Sequence, residues 1–194
     1  MDANRTEIIF LLDRSGSMGG LEDDTINGYN TFLQKQSKLK GETLVTTVLF
    51  DHQYEVLCDG VEAQKALLTE ESYYVRGGTA LLDAVGKTIL EVGHRLSKEE
   101  EEKRPGKVIF VITTDGMENS SVEFTYKKVK ELITHQQEKY HWTFLFLGAN
   151  IDVAEEGGNM GLRSDSVFEY EATPEGVSKM YEVASEAVYQ NRKE

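Results

Sequence analysis

The run Ile8-Ile9-Phe10-Leu11-Leu12-Asp13-Arg14-Ser15-Gly16-Ser17-Met18-Gly19 decides how the rest of the chain is read. Its apolar half is short and continuous, which suits a strand buried on both faces. It stops at an acid, and hydroxyl residues and glycines follow. Asp13, Ser15 and Ser17 fall two residues apart, so in an extended segment they point the same way. Gly16 and Gly19 let the backbone curl, and the oxygens can then converge. The stretch reads as a buried strand ending in a cluster of oxygen-bearing side chains.

Strand and helix alternate outward from there. Ile26, Tyr29, Phe32 and Leu33 recur at helical steps, predicting an amphipathic helix over 21–39. Leu44 to Phe50 reads as a second strand. Asp51-His52-Gln53 turns it into a third, Tyr54 to Cys58, antiparallel to the second. Leu81, Leu82, Val85, Ile89 and Leu96 mark a helix over 80–97, and the charged segment 98–104 is its solvated end and loop. Further strands are predicted over 107–113, 141–147 and 167–170, with helices over 124–138 and 153–160. A last helix runs to Tyr189, with Thr173 as N-cap and Pro174 at its first position. This alternation, with a single hairpin, predicts an α/β protein with a mostly parallel sheet and helices on both faces. In such sheets the functional crevice lies beyond the carboxyl ends of the strands, where strand order reverses. No Pro/Gly/Ser-rich linker and no internal repeat divides the chain, so one domain over 1–194 is expected.

Composition narrows the function. Lys and Arg number 21 against 34 Asp and Glu, a net charge of −13. That argues against a protein that tracks nucleic-acid phosphates and against binding an anionic membrane surface. No apolar stretch reaches the ~18 residues of a membrane span. The first residues lack a basic segment followed by an apolar one, so a cytoplasmic location is expected. The lone Cys58 rules out an internal disulfide or a multi-cysteine zinc site, and its strand-like setting predicts a buried, inert thiol. His52, His94, His135 and His141 sit on different elements with no metal-binding spacing. The Gly-rich stretches 147–150 and 157–161 match no phosphate-binding loop, and no nucleophile elbow surrounds Ser15 or Ser17.

Two more strand-end stretches belong with the first. Thr113-Thr114-Asp115-Gly116 brings a carboxylate to the same sheet edge, and Arg76-Gly77-Gly78-Thr79-Ala80 puts a hydroxyl at a loop–helix junction. Taken singly, Asp-x-Ser is a helix cap and Thr-Asp-Gly a turn. Together and in this order they gather two carboxylates, Asp13 and Asp115, and three hydroxyls, Ser15, Ser17 and Thr79. Hard oxygens favour Mg²⁺, Mn²⁺ or Ca²⁺ over softer metals. Two acids roughly balance a divalent charge, and weak neutral donors leave the ion electrophilic toward an external anion.

Asp13-x-Ser15-x-Ser17, Gly77-Gly78-Thr79 and Thr114-Asp115-Gly116 together resemble the metal-ion-dependent adhesion site of the von Willebrand factor type A family. The order and the strand–helix pattern agree over most of the chain. The resemblance implies a doubly wound, Rossmann-like sheet of about six strands with one antiparallel edge strand. It implies Mg²⁺ or Mn²⁺ as cofactor, with Ser15 and Ser17 as direct ligands and Thr79 direct or through water. Asp13 and Asp115 would act largely through water, and a Glu or Asp of a protein partner would complete the octahedron. It further implies a non-catalytic, intracellular, bacterial-type adaptor that works with ATPases, kinases or phosphatases, in some cases in stress or metal resistance. Alone, such a domain is expected to be monomeric.

Around this site Arg14, Met18 and Gly78 are the candidate partner-binding rim. Arg14 is either a solvated side chain or an attractor for an acidic ligand, and Met18 and Tyr73-Tyr74 line either the rim or the core. Glu118 to Ser121 shapes the rim without ligating. Two other classes stand beside the binding module. One is a Mg²⁺-dependent phosphohydrolase or phosphotransferase with Asp13 as nucleophile. Against it, Ser15 stands where a second acid is wanted, and no lysine lies near the loops. The other is a scaffold whose metal site is vestigial.

Overall fold

The computed structural model covers all 194 residues. The opening apolar run lies in β1 (Asp2–Asp13), from Ile8 to Leu12 at most 1% exposed. Beside it lie β2 (Glu42–Phe50), β3 (Tyr54–Glu62), β4 (Pro105–Thr114), β5 (Thr143–Gly148) and β6 (Val167–Glu169). The helices are α1 (Glu22–Ser37), α2 (Leu81–Lys98), α3 (Tyr126–Tyr140), α4 (Val153–Asn159) and α5 (Pro174–Lys193). All six strands form one sheet in the order β3-β2-β1-β4-β5-β6. Every pair is parallel except β2–β3. The expected doubly wound α/β architecture with one antiparallel edge strand is therefore the observed one.

Strand periodicity builds two cores. Ile8, Phe10 and Leu12 face α1 and α5, where Phe10 meets Tyr29 and Phe32 edge-on and stacks on Tyr181. Ile9 and Leu11 face α2, α3 and α4, and there Phe110 stacks on Trp142 and Phe144. Successive side chains of one strand thus supply both layers. No helix is long and apolar enough to cross a membrane.

The chain leaves β1 toward β2 and β3 on one side and returns through β4 to β6 on the other. Strand order reverses between β1 and β4, so a crevice opens over their carboxyl ends. Asp13 closes β1, and Asp115 follows the last residue of β4.

The structure departs from the sequence reading at several points. β3 continues past Cys58 to Glu62, because irregular pairing with β2 and a left-handed Gly60 (φ 62°) carry it through a break in alternation. Cys58 is half-buried rather than buried, and burial pushes its thiol up, away from the reactive thiolate. β5 starts at Thr143, since His141 adopts a left-handed conformation (φ 57°) that ends α3.

At the middle of β1, Glu7 is fully buried and pairs with Arg95 of α2. Thr46 donates to the same carboxylate at 2.7 Å, and Arg95 also reaches Asp59 at 2.8 Å.

Candidate metal centre

The loop after β1 is ordered by its own acid. Asp13 Oδ1 accepts the Ser15 N–H at 2.7 Å, while Asp13 Oδ2 accepts the Thr114 hydroxyl at 2.8 Å and the Asp115 N–H at 3.3 Å. One carboxylate so ties the ends of β1 and β4 together. The Asp13 carbonyl accepts the hydroxyl of buried Tyr73 at 2.8 Å, which fixes the backbone from the opposite side.

The oxygens predicted from sequence meet here. Ser15 Oγ and Ser17 Oγ lie 2.9 Å apart, and Ser17 Oγ donates to Asp115 Oδ1 at 2.6 Å. Thr79 closes the group: a Cβ built on Gly116 would stand 3.6 Å from Ser17 Oγ and 3.7 Å from Thr79 Oγ1. Both hydroxyls therefore border the same space above Gly116. Gly16 N–H donates to the Gly77 carbonyl at 3.0 Å and Arg76 N–H to the Arg14 carbonyl at 2.9 Å, joining the first and middle loops.

The site is short of positive charge. Asp13 and Asp115 are each 1% exposed, and no arginine or lysine pairs with either. Burial raises the Asp13 pKa against the pull of its Ser15, Thr114 and Asp115 donors. Burial also pushes Asp115 up to about 6, opposed by the Ser17 hydroxyl and reinforced by the Asp13 charge. Asp115 Oδ2 is buried without any hydrogen-bond partner. No group of three or more His, Cys, Asp or Glu side chains is arranged for a metal in the chain, so a cation here would need the hydroxyls as well. An orphaned carboxylate oxygen, a space bordered by hydroxyls and an all-oxygen donor set fit a hard divalent ion.

The rim differs from the sequence reading. Arg14 is fully buried and neither solvated nor available to a ligand. Its Nη1 binds Glu55 at 2.5 Å, Nε lies 3.8 Å from Asp51, and the Tyr74 ring stands 5.4 Å from the guanidinium. Met18 is 5% exposed and belongs to the α1/α5 core. Gly78 does lie partly exposed, pressed so closely by Ser120 Oγ and Asn119 Oδ1 that a Cβ would displace them. Tyr73 is buried, whereas Tyr74 and Met117 are exposed.

The segment after Asp115 does more than shape an edge. Asn119 Oδ1 accepts the Thr79 N–H at 2.8 Å, and Asn119 N–H returns to the Thr79 carbonyl at 3.0 Å. Glu118 and Ser121 accept N–H groups of Leu82 and Asp83, at 3.0 and 2.9 Å, at the start of α2. The Asp83 carboxylate accepts three in return, from Val122, Glu123 and Phe124. The signal for this brace was an acid in the first turn of a helix, Asp83, facing an Asn and an acid after the Thr-Asp-Gly turn.

No family model matches the chain, and no curated protein matches it significantly in sequence. Solved structures do resemble it. Proximal thread matrix protein 1 from the mussel byssus, with a zinc-occupied MIDAS motif, superposes with a TM-score of 0.69 at 18% identity, over 96% of this chain and 46% of that one. The vWF domain of the type V pili tip protein Mfa5 from Porphyromonas gingivalis gives 0.65 at 11% identity over 96% of both chains. The manganese-loaded TRAP protein of Plasmodium vivax gives 0.62 at 15% identity, over 93% of this chain and 73% of that one. The chain spans about half the length of the mussel protein. At these identities the likeness establishes the fold, which is that of a von Willebrand factor type A domain.

Proposed function

We propose that the chain is a non-catalytic, metal-dependent protein-interaction module. Asp13, Ser15, Ser17, Thr79 and Asp115 would hold Mg²⁺ or Mn²⁺, and the ion would supply an electrophilic position for a Glu or Asp of a protein partner. The observation that carries this is the pairing of two buried acids with uncharged hydroxyl and peptide N–H donors alone, one carboxylate oxygen being left without a partner. Static structure gains nothing from such a charge deficit, whereas a bound dication removes it. The zinc-occupied MIDAS motif of the similar mussel structure and the manganese-loaded Plasmodium structure support a divalent ion as the ligand. The finer reading is a cytoplasmic adaptor of the bacterial type, serving a stress or metal-resistance system, monomeric until its partner arrives.

Calorimetric titration with Mg²⁺ and Mn²⁺ tests the site. Asp13→Ala and Asp115→Ala should each weaken binding at least about tenfold, roughly 1.4 kcal/mol. Equal affinity in wild type and both variants would overturn the assignment. A partner captured with Mg²⁺ should be released by chelator and missed by Asp13→Ala. Retention in chelator would mean scaffolding through another face.

A further inference from the structure

At the amino end of the sheet, away from the metal centre, a cavity of about 250 Å³ lies between α2 and α3. Ile89, Leu96, Val108 and Trp142 form its buried walls, and Leu90 and Tyr140 stand exposed at its mouth. The two glycines of α2 differ, and only Gly93 borders the cavity. Gly86 is demanded by packing, since a Cβ would collide with the Phe124 ring. Gly93 is under no such demand: its Cβ would stand 3.9 Å from Gln136 Nε2 and from Trp142 Cη2, an ordinary contact. Glycine is a poor helix former, yet here it keeps a space open that a larger residue would fill.

The polar groups of this cavity are unmatched. Gln136 Oε1 is buried with no hydrogen-bond partner. Of the chain's seven arginines, five pair with carboxylates. Arg104 does not, and it lines this cavity, donating only to the Glu99 and Ser97 carbonyls at 3.0 and 3.1 Å. No Asp or Glu occurs among the fourteen lining residues, in a chain that carries 34 of them. Apolar walls, an uncompensated guanidinium and a free amide complement an apolar body with a carboxylate.

From this we infer that the cavity is a binding site for a small amphipathic carboxylate, an aromatic or branched aliphatic acid of about one ring in size, seated on Trp142 with its charge toward Arg104. The inference is independent of the metal centre.

Trp142 is the chain's one tryptophan, so its emission reports this cavity alone. Titrating the full chain with hydrocinnamate should give a saturable change in that emission. Hydrocinnamyl alcohol should bind about tenfold more weakly and acetate should not bind. Gly93→Leu should abolish the signal by filling the space. Leu90→Glu, at an exposed position where folding is undisturbed, should weaken binding about tenfold by offering Arg104 a competing carboxylate. Arg104→Gln should bring acid and alcohol to the same affinity. An absent or unsaturable response, equal binding of acid and alcohol to wild type, or wild-type binding by Gly93→Leu would each overturn the inference. So would a dimer in sedimentation velocity that Leu90→Glu dissociates, which would assign the cavity to a second copy of the chain.

Discussion

β1 carries two buried acids, Glu7 at its middle and Asp13 at its carboxyl end, and the surroundings treat them differently. Glu7 receives the Arg95 guanidinium and a threonine hydroxyl. Asp13 receives only neutral donors and sits against a second acid, Asp115. An arginine is at hand, yet Arg14 turns away to Glu55 and Asp51. The chain can neutralise a buried carboxylate with its own cation and does so where the role is structural. At the carboxyl end it leaves negative charge uncompensated, which is the condition for recruiting an ion from solution.

The largest expected effect attacks the structural pair. Arg95→Met strands the Glu7 charge in the core and should cost about 3 kcal/mol in urea denaturation, with Mg²⁺ giving no rescue. A neutral result would mean that Glu7 needs no counter-charge, and the contrast would collapse. Asp115→Asn should act in the opposite direction. Its carboxylate has a folded pKa raised above the ordinary value, so ionisation at neutral pH opposes folding. Removing that charge should stabilise the metal-free protein by about 1 kcal/mol after solvent screening, while the Mg²⁺-induced rise in Tm disappears. Loss of stability in the metal-free variant would show that the two acids are already balanced. Next, Asn119→Ala deprives the Thr79 N–H of its acceptor. It should cost about 1 kcal/mol and weaken Mg²⁺ a few-fold by calorimetry, although Asn119 is not a ligand. Smallest of all, Gly93→Ala should gain about 0.5–1 kcal/mol of helix stability, whereas Gly86→Ala loses stability against Phe124. Thermal melts of the two would separate a glycine kept for packing from one that keeps a space open.

The strand ends were legible because they obey local rules. A continuous apolar run stopped by Asp13, and another stopped by Asp115, mark where parallel strands leave the core. Strand–helix order then places those two ends side by side. Thr79 was legible only through its neighbours Gly77 and Gly78, since nothing in periodicity assigns a hydroxyl on a loop to a site. Arg14 was misread because a long side chain's direction depends on distant partners; Glu55 lies 41 residues on. Met18 stayed open between rim and core for a related reason, since the short helical turn that folds it inward is set by tertiary packing. The brace from Asp83 to residues 122–124 escaped notice because both of its sides look like ordinary solvated loop and helix start.

That brace has a consequence for how such a chain diversifies. Asp83 and Glu118 hold the loop after β4 through its peptide N–H groups, so the exposed side chains of Met117 and Val122 take no part in holding it. Those positions are free to drift, or to be randomised in a display library, while the socket beneath stays put. On the proposed metal-dependent reading, binders selected there are expected to be released by the same chelator.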